Sequence, residues 1–98
     1  MSERPNVDVT DNPEENRYEA HVNGELAGAA FYQPQPDRLV VLHTEVGAAF
    51  EGQGVGSRLI GSMLDDIRRR GLSVTPLCGF TRAYIERHPE YDDLVARR

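Results

Sequence analysis

From Glu45 to Gly71 the chain reads EVGAAFEGQGVGSRLIGSMLDDIRRRG: the end of a strand, a glycine-rich turn and an amphipathic helix. Gly52, Gly54 and Gly56 alternate with Gln53 and Val55, so the backbone can turn sharply and leave its N–H groups unshielded by Cβ atoms. Val55, Leu59, Ile60, Met63, Leu64 and Ile67 then recur on one face at helical spacing. Arg58, Ser62, Asp65, Asp66 and Arg69 fall largely on the other face, and Gly71 supplies a stop. Strand, glycine turn and helix N-terminus together make a favourable seat for a phosphate or pyrophosphate. Unpaired amides and the positive end of the helix dipole converge there.

Two phosphate-binding motifs do not fit. A P-loop needs a lysine after its last glycine, and all 11 basic residues of this chain are arginines. A dinucleotide fingerprint needs GxGxxG with an acid about 20 residues further on. The spacing here is GxGxG, and the next strand candidate, Leu72 to Cys78, carries no acid.

At 98 residues the chain has room for one small domain. A net charge of −5 argues against general nucleic-acid binding, which needs a basic face, and weakly favours a cationic partner. One cysteine excludes an internal disulfide and a cysteine-based zinc cluster, and no His/Asp/Glu spacing suggests a metal site. No apolar run reaches ~18–20 residues, and Met1 to Asn16 is polar without a signal-peptide core. A cytoplasmic protein without a membrane partner is the expectation.

Taken in order, Met1 to Asn6 is expected to fray. Val7 to Thr10 alternates as a short strand before a turn at Asp11-Asn12-Pro13. Arg17 to Val22 alternates again, and Asn23-Gly24 predicts a hairpin to a strand over Glu25–Tyr32, since type I′ turns need positive φ at both central residues. Gln33 to Asp37 reads as a loop. Strict alternation over Arg38–Val46 would put Leu39, Val41, His43 and Glu45 on one face and Val40, Leu42, Thr44 and Val46 on the other. The helix of 56–70 crosses to a strand at Leu72–Cys78, expected to be parallel to the one it left. Thr81 is a plausible N-cap for a second helix through His88, which Pro89 ends, and Asp92 to Val95 forms a short tail. The result is a mixed α/β fold: a mostly antiparallel sheet with a central β-α-β unit and a C-terminal helix.

At this point the residues carry a resemblance. EGQGVGSRL is similar to the acetyl-CoA pyrophosphate loop of the GNAT superfamily of N-acetyltransferases, whose pattern is Arg/Gln-x-x-Gly-x-Gly/Ala; here Glu51 stands at the first position. HTEV at 43–46, TPLCGFTRAYIERHPEY at 75–91 and the closing DDLV resemble very small, stand-alone GNAT-like domains over roughly residues 17–95. The resemblance implies a truncated GNAT-like fold, without the helices that usually follow the first strand, and hence an open acceptor site. It implies acetyl-CoA as co-substrate and acetyl transfer to an amine acceptor such as a peptide, polyamine or small amine. The alternative is a CoA-binding sensor or interaction module with little catalysis.

The same resemblance implies that Val46, Glu51, Gly52, Gln53, Gly54, Val55, Gly56, Ser57 and Arg58 hold the cofactor, with Cys78 and Tyr84 near its thioester. Glu45 stands where many GNAT enzymes place a carboxylate base, which an ammonium acceptor needs before it can attack; it could equally cap the strand or pair with an arginine. His43 could relay that proton, or serve as a hydrogen-bonded core residue. Tyr84 could protonate the leaving thiolate, or pack in a helix with Phe80 and His88. Cys78 could contact the cofactor, or accept the acetyl group if its thiol is deprotonated; free cysteines are otherwise usually buried and inert. Arg68, Arg69 and Arg70 fit a helix C-terminus better than a phosphate site.

Overall fold

The computed structural model describes residues 6–96. Most of the segment expected to fray lies outside the described residues. Five strands form one sheet in the order β1-β2-β3-β4-β5: β1 (Val7–Asn12), β2 (Arg17–Val22), β3 (Glu25–Pro34), β4 (Arg38–Val46) and β5 (Ser73–Pro76). The first four pair antiparallel, and β5 joins β4 in parallel after the crossover helix α1 (Val55–Arg69). A second helix, α2 (Gly79–Arg87), and a 3-10 segment over Pro89–Leu94 close the chain, and Val95 bridges back to Val74.

Local chemistry explains much of this order. Asn23 and Gly24 both have positive φ, +52° and +82°, as the two-residue hairpin requires. β1 runs two residues further than its alternation suggests, because Asp11 and Asn12 pair with Tyr18 and Arg17 and find side-chain partners in Tyr32 and Glu19. The turn therefore falls on Pro13–Asn16. β3 likewise continues to Pro34 and shortens the expected loop, while β5 is only four residues long. Thr81 is not an N-cap: α2 starts at Gly79 with Cys78 in the capping position, and Thr81 is fully buried within it.

The largest departure lies in β4. Phe31 pairs with His43 but Tyr32 pairs with Val41, so Leu42 is an extra residue, a β-bulge. A bulge reverses the alternation beyond it. Thr44 and Val46 thereby join Leu39 and Val41 on the face that pairs with buried Ala30 and Tyr32, and His43 and Glu45 turn to the opposite face beside Phe31. The strict alternation that grouped His43 and Glu45 with Leu39 and Val41 does not hold.

The inner face carries the core. Leu59, Ile60, Met63, Leu64 and Ile67 of α1 are completely buried against Tyr18, Ala20, Val41 and Val74, each large aliphatic side chain contributing about 1.5–3 kcal/mol. Helix α2 leans on α1 through Phe80 at Gly56 and Tyr84 at Gly61. On the outer face, Arg17, Glu19, His21, Phe31, His43 and Glu45 are half-buried or exposed.

Tyrosine–aspartate bonds tie α1 to β2 and to the C-terminal 3-10 segment, and β3 to β1. Tyr18 donates to Asp66 at 2.5 Å, Tyr32 to Asp11 at 2.6 Å and Tyr91 to Asp65 at 2.7 Å. Arg70 bridges Tyr18, Asp11 and Asp66, Arg69 pairs with Asp66, and Arg68 with Asp93. Burial first, and the neighbouring aspartate second, raise all three phenols above their ordinary value near 10. The folded protein thus keeps phenolic protons that the unfolded chain releases. The associated stability is complete below about pH 10 and is lost as pH rises towards the folded values. Urea midpoints should fall steeply above about pH 10, and Y18F, Y32F and Y91F should each flatten that fall; an unchanged slope in all three would refute the assignment.

Candidate active site

The site begins where two parallel strands part. β4 pairs with β5 only from Arg38 to Val41, and the N–H groups of Leu77 and Cys78 both donate to the Val41 carbonyl, at 3.0 and 3.1 Å. Beyond this point β4 continues to Val46 while the other chain turns into α2. The gap opens into a cleft of about 410 Å³. Thr44 and Val46 form its β4 wall, Phe50 and the glycine turn its rim, and Phe80 its α2 wall.

The turn owes its shape to glycine. Gly52 and Gly54 have φ of +82° and +79°, and Gly54 stands as the N-cap of α1 without any side-chain cap. The first helical N–H groups are therefore left open. Among the described residues, no backbone carbonyl accepts from the N–H groups of Gly52 through Ser57; the first such bond on the helix side is Arg58 N–H to Gly54 at 3.1 Å. Gly56 is needed for a different reason: a Cβ there would lie 2.7 Å from the Phe80 ring. These open amides at a helix N-terminus, beside a cleft, fit an anionic group such as a pyrophosphate.

Of the residues proposed from sequence, Val46, Glu51, Gly52, Gly54, Val55, Gly56 and Ser57 line the cleft. Gln53 folds back so that its amide donates to the Ala49 carbonyl at 3.3 Å. Arg58 is exposed on α1 and makes no ion pair among the described residues. Cys78 lies behind Thr44, whose hydroxyl shares a 3.3 Å hydrogen bond with the sulfur. Burial pushes the Cys78 thiol up. Thr44, the N–H groups of Thr81 and Phe80 and the Thr81 side chain outweigh it and hold the thiol below its ordinary value.

Tyr84 stands elsewhere. Its hydroxyl abuts Gly61, its ring stacks on His88 at 4.0 Å, and burial, with Asp65 and Glu90 adding to it, raises its phenol. The α2 aromatic in the cleft is Phe80. His43 and Glu45 stay together on the outer face, with Nε2 of His43 2.8 Å from Oε2 of Glu45. Both are more than half exposed, 59% and 64%. Phe31 stacks on the His43 ring at 6.0 Å, and the Arg17 guanidinium lies 5.7 Å from the centre of the Phe31 ring.

Sequence reasoning did not single out Thr44, Phe50 or Phe80 as cleft residues. The only local signal for Phe80 was its place just after Cys-Gly at a strand end; its fit to Gly56 links residues 24 positions apart (80 − 56). Among the described residues no group of His, Cys, Asp and Glu could hold a metal, and no helix is long and apolar enough to cross a membrane.

A family profile described as GCN5-related N-acetyl-transferase matches residues 17–94. No curated protein matches. Among solved structures, a GCN5-like protein from Staphylococcus aureus superposes with a TM-score of 0.69 at 21% identity, covering 95% of this chain and 91% of that one. The ribosomal-protein-S18-alanine N-acetyltransferase from Escherichia coli gives 0.57 at 21% identity, over 78% of this chain and 43% of its own. The ribosomal-protein-alanine N-acetyltransferase from Brucella melitensis biovar Abortus 2308 gives 0.54 at 22%, over 84% and 63%. The chain thus spans less than two thirds of these two enzymes. At such identities the likeness is one of fold.

Proposed function

The chain belongs to the GCN5-related N-acetyltransferase family, and from that premise we propose that it moves an acetyl group from acetyl-CoA to a primary amine by direct attack in a ternary complex. The observation that carries this reading is the row of open amides from Gly52 to Ser57 beside the parting of β4 and β5. When bound, acetyl-CoA supplies an activated acetyl thioester. The loop amides would hold its pyrophosphate, and Arg58, with its guanidinium uncommitted, would add positive charge nearby. Thr44, Val46, Phe50 and Phe80 would wall the acyl arm and exclude water.

Glu45, paired with His43, would take the proton that an ammonium acceptor must lose. Among the described residues no helix covers the outer sheet face, where His43 and Glu45 are exposed, so an amine on a peptide, a protein or a polyamine could reach it. Thr44 is better placed than Tyr84 to donate a hydrogen bond to a departing thiolate, because Thr44 lines the cleft and Tyr84 does not. Glu51 also lines the cleft. An acid at an anion seat favours weaker cofactor binding, which is the observation behind a second reading as a CoA-binding module.

Thermal melting with acetyl-CoA, CoA and ATP tests the cofactor. At 100 times its dissociation constant a ligand stabilises by about 2.7 kcal/mol, or roughly 10 °C or more for a domain of this size. Acetyl-CoA and CoA should raise the midpoint and ATP should not; no shift at saturating acetyl-CoA would remove the cofactor assignment. Thioester turnover with a panel of amines then separates the transferase from the binding module.

A further inference from the structure

On the outer face of the sheet one row of side chains crosses three strands. Arg17 of β2 pairs with Phe31 of β3, and Phe31 pairs with His43 of β4, so the phenyl ring has a cation as one neighbour and an imidazole as the other. The Arg17 guanidinium lies 5.7 Å from the ring centre, and the His43 ring stacks 6.0 Å away at 25°. Arg17 is itself held. Its Nε donates to Glu19 at 2.8 Å, and the Asn12 amide donates to the same carboxylate oxygen at 2.9 Å. Phe31 is half-buried and thus braced from the β2 side, while its β4 neighbour reaches into solvent.

His43 and Glu45 need such a brace. Both are more than half exposed, and an exposed pair gains little from its charges against the rotamer freedom it loses by holding one geometry. A free imidazole has about six orientations, from three staggered χ1 wells and a two-fold χ2; the 2.8 Å hydrogen bond to Glu45 uses one arrangement. The bulge supplies the alignment. Continuing the register from Tyr32 and Val41 would set Leu42 opposite Phe31, and the extra residue sets His43 there instead.

We propose that Phe31 is a positioning residue for the proton-accepting pair: its ring face fixes the His43 imidazole so that Nε2 meets Glu45 and holds that carboxylate in one orientation. This goes beyond the reading of Glu45 as the base and rests on it. Phe31 does not line the cleft, so its removal leaves the cofactor seat alone. Acting through His43, it contributes at most the factor lost when the ring is released among its orientations, about sixfold, and F31A should not exceed H43A.

Two measurements on the full chain test this. The first needs no acceptor: three-bond couplings of the His43 Cβ protons should report a single χ1 rotamer in the wild type and in F31Y, and rotamer averaging in F31A and F31L. The second is thiol release from acetyl-CoA with spermidine and with a blocked lysine amide as acceptors. F31A and F31L should lower kcat by about three- to sixfold with the acetyl-CoA KM and thermal shift unchanged, F31Y should stay near wild type, and F31A/H43A should match H43A alone. F31L keeps apolar bulk at this position and carries the test should F31A not fold. An averaged His43 rotamer in the wild type, or a single one in F31L, would overturn the proposal. So would losses for F31A and H43A that multiply in the double variant, since Phe31 would then act by another route. If E45Q abolishes turnover while F31L leaves it intact, this inference alone fails; if E45Q leaves turnover intact, or neither amine is acetylated, the reading of Glu45 as the base fails and this inference falls with it.

Discussion

Replacing Glu45 with glutamine is expected to lower turnover by about 10²–10⁴-fold, the span that a positioned acid or base contributes, while leaving the acetyl-CoA thermal shift intact. The amide is close in shape to the carboxylate and keeps an oxygen that can accept the 2.8 Å hydrogen bond from Nε2 of His43. What it loses is the ability to take a proton. Glu45 is well exposed on the outer face, and its side chain supports no core contact, so the variant should fold normally. On the proposed reading cofactor affinity would reside in the glycine turn, away from this side chain, and should be unaffected. H43A should be milder, because a carboxylate can accept the proton without a relay. Turnover and affinity falling together, or neither falling, would show that Glu45 is not the base.

Gly28→Ala should be the most damaging single-methyl change in the sheet. Gly28 faces Val46 in the β3–β4 register, and a Cβ at this position would lie 2.7 Å from the backbone oxygen of Glu45, with two atoms of Val46 at 3.5 Å. The obstacle is backbone on a paired strand, so no rotamer change relieves it. Overpacking of this kind costs about 1–3 kcal/mol, occasionally more, and each kcal/mol lowers the melting midpoint by about 4–8 °C in a domain of this size. If β4 yields, the carbonyl of Glu45 and the Val46 wall move, and cofactor binding should weaken along with stability. Gly79→Ala provides the contrast, for its Cβ would meet nothing within 4 Å; it should be neutral, or stabilising by at most about 1 kcal/mol. A midpoint for G28A equal to that of G79A would refute the packing argument.

Gly28 was not legible in the sequence as a tight contact, whereas the glycines of the turn were. The difference lies in what each glycine does. Gly52 and Gly54 serve their own backbone with positive φ, a local requirement that spacing and neighbours betray. Gly28 and Gly56 yield space to Glu45 and Phe80, which are distant in sequence and become neighbours only when strands and helices are placed. Thr81 illustrates the same limit. As a threonine before a helical run it reads as an N-cap, but the helix begins two residues earlier because the chain leaves β5 at Pro76.

By itself the sequence determined the order of elements, the Asn23-Gly24 hairpin, the apolar stripe of α1 and the glycine turn with its open amides. Each follows from φ preferences and side-chain periodicity within a few consecutive residues. Only the tertiary structure decided which way the chemistry faces. The bulge at Leu42 arises from the pairing of Phe31 with His43 and Tyr32 with Val41, a register between two strands that no single strand encodes. One extra residue there exchanges the faces of everything beyond it. It puts Thr44 and Val46 in the cleft and Glu45 with His43 on the outer face, where both side chains stand exposed to solvent.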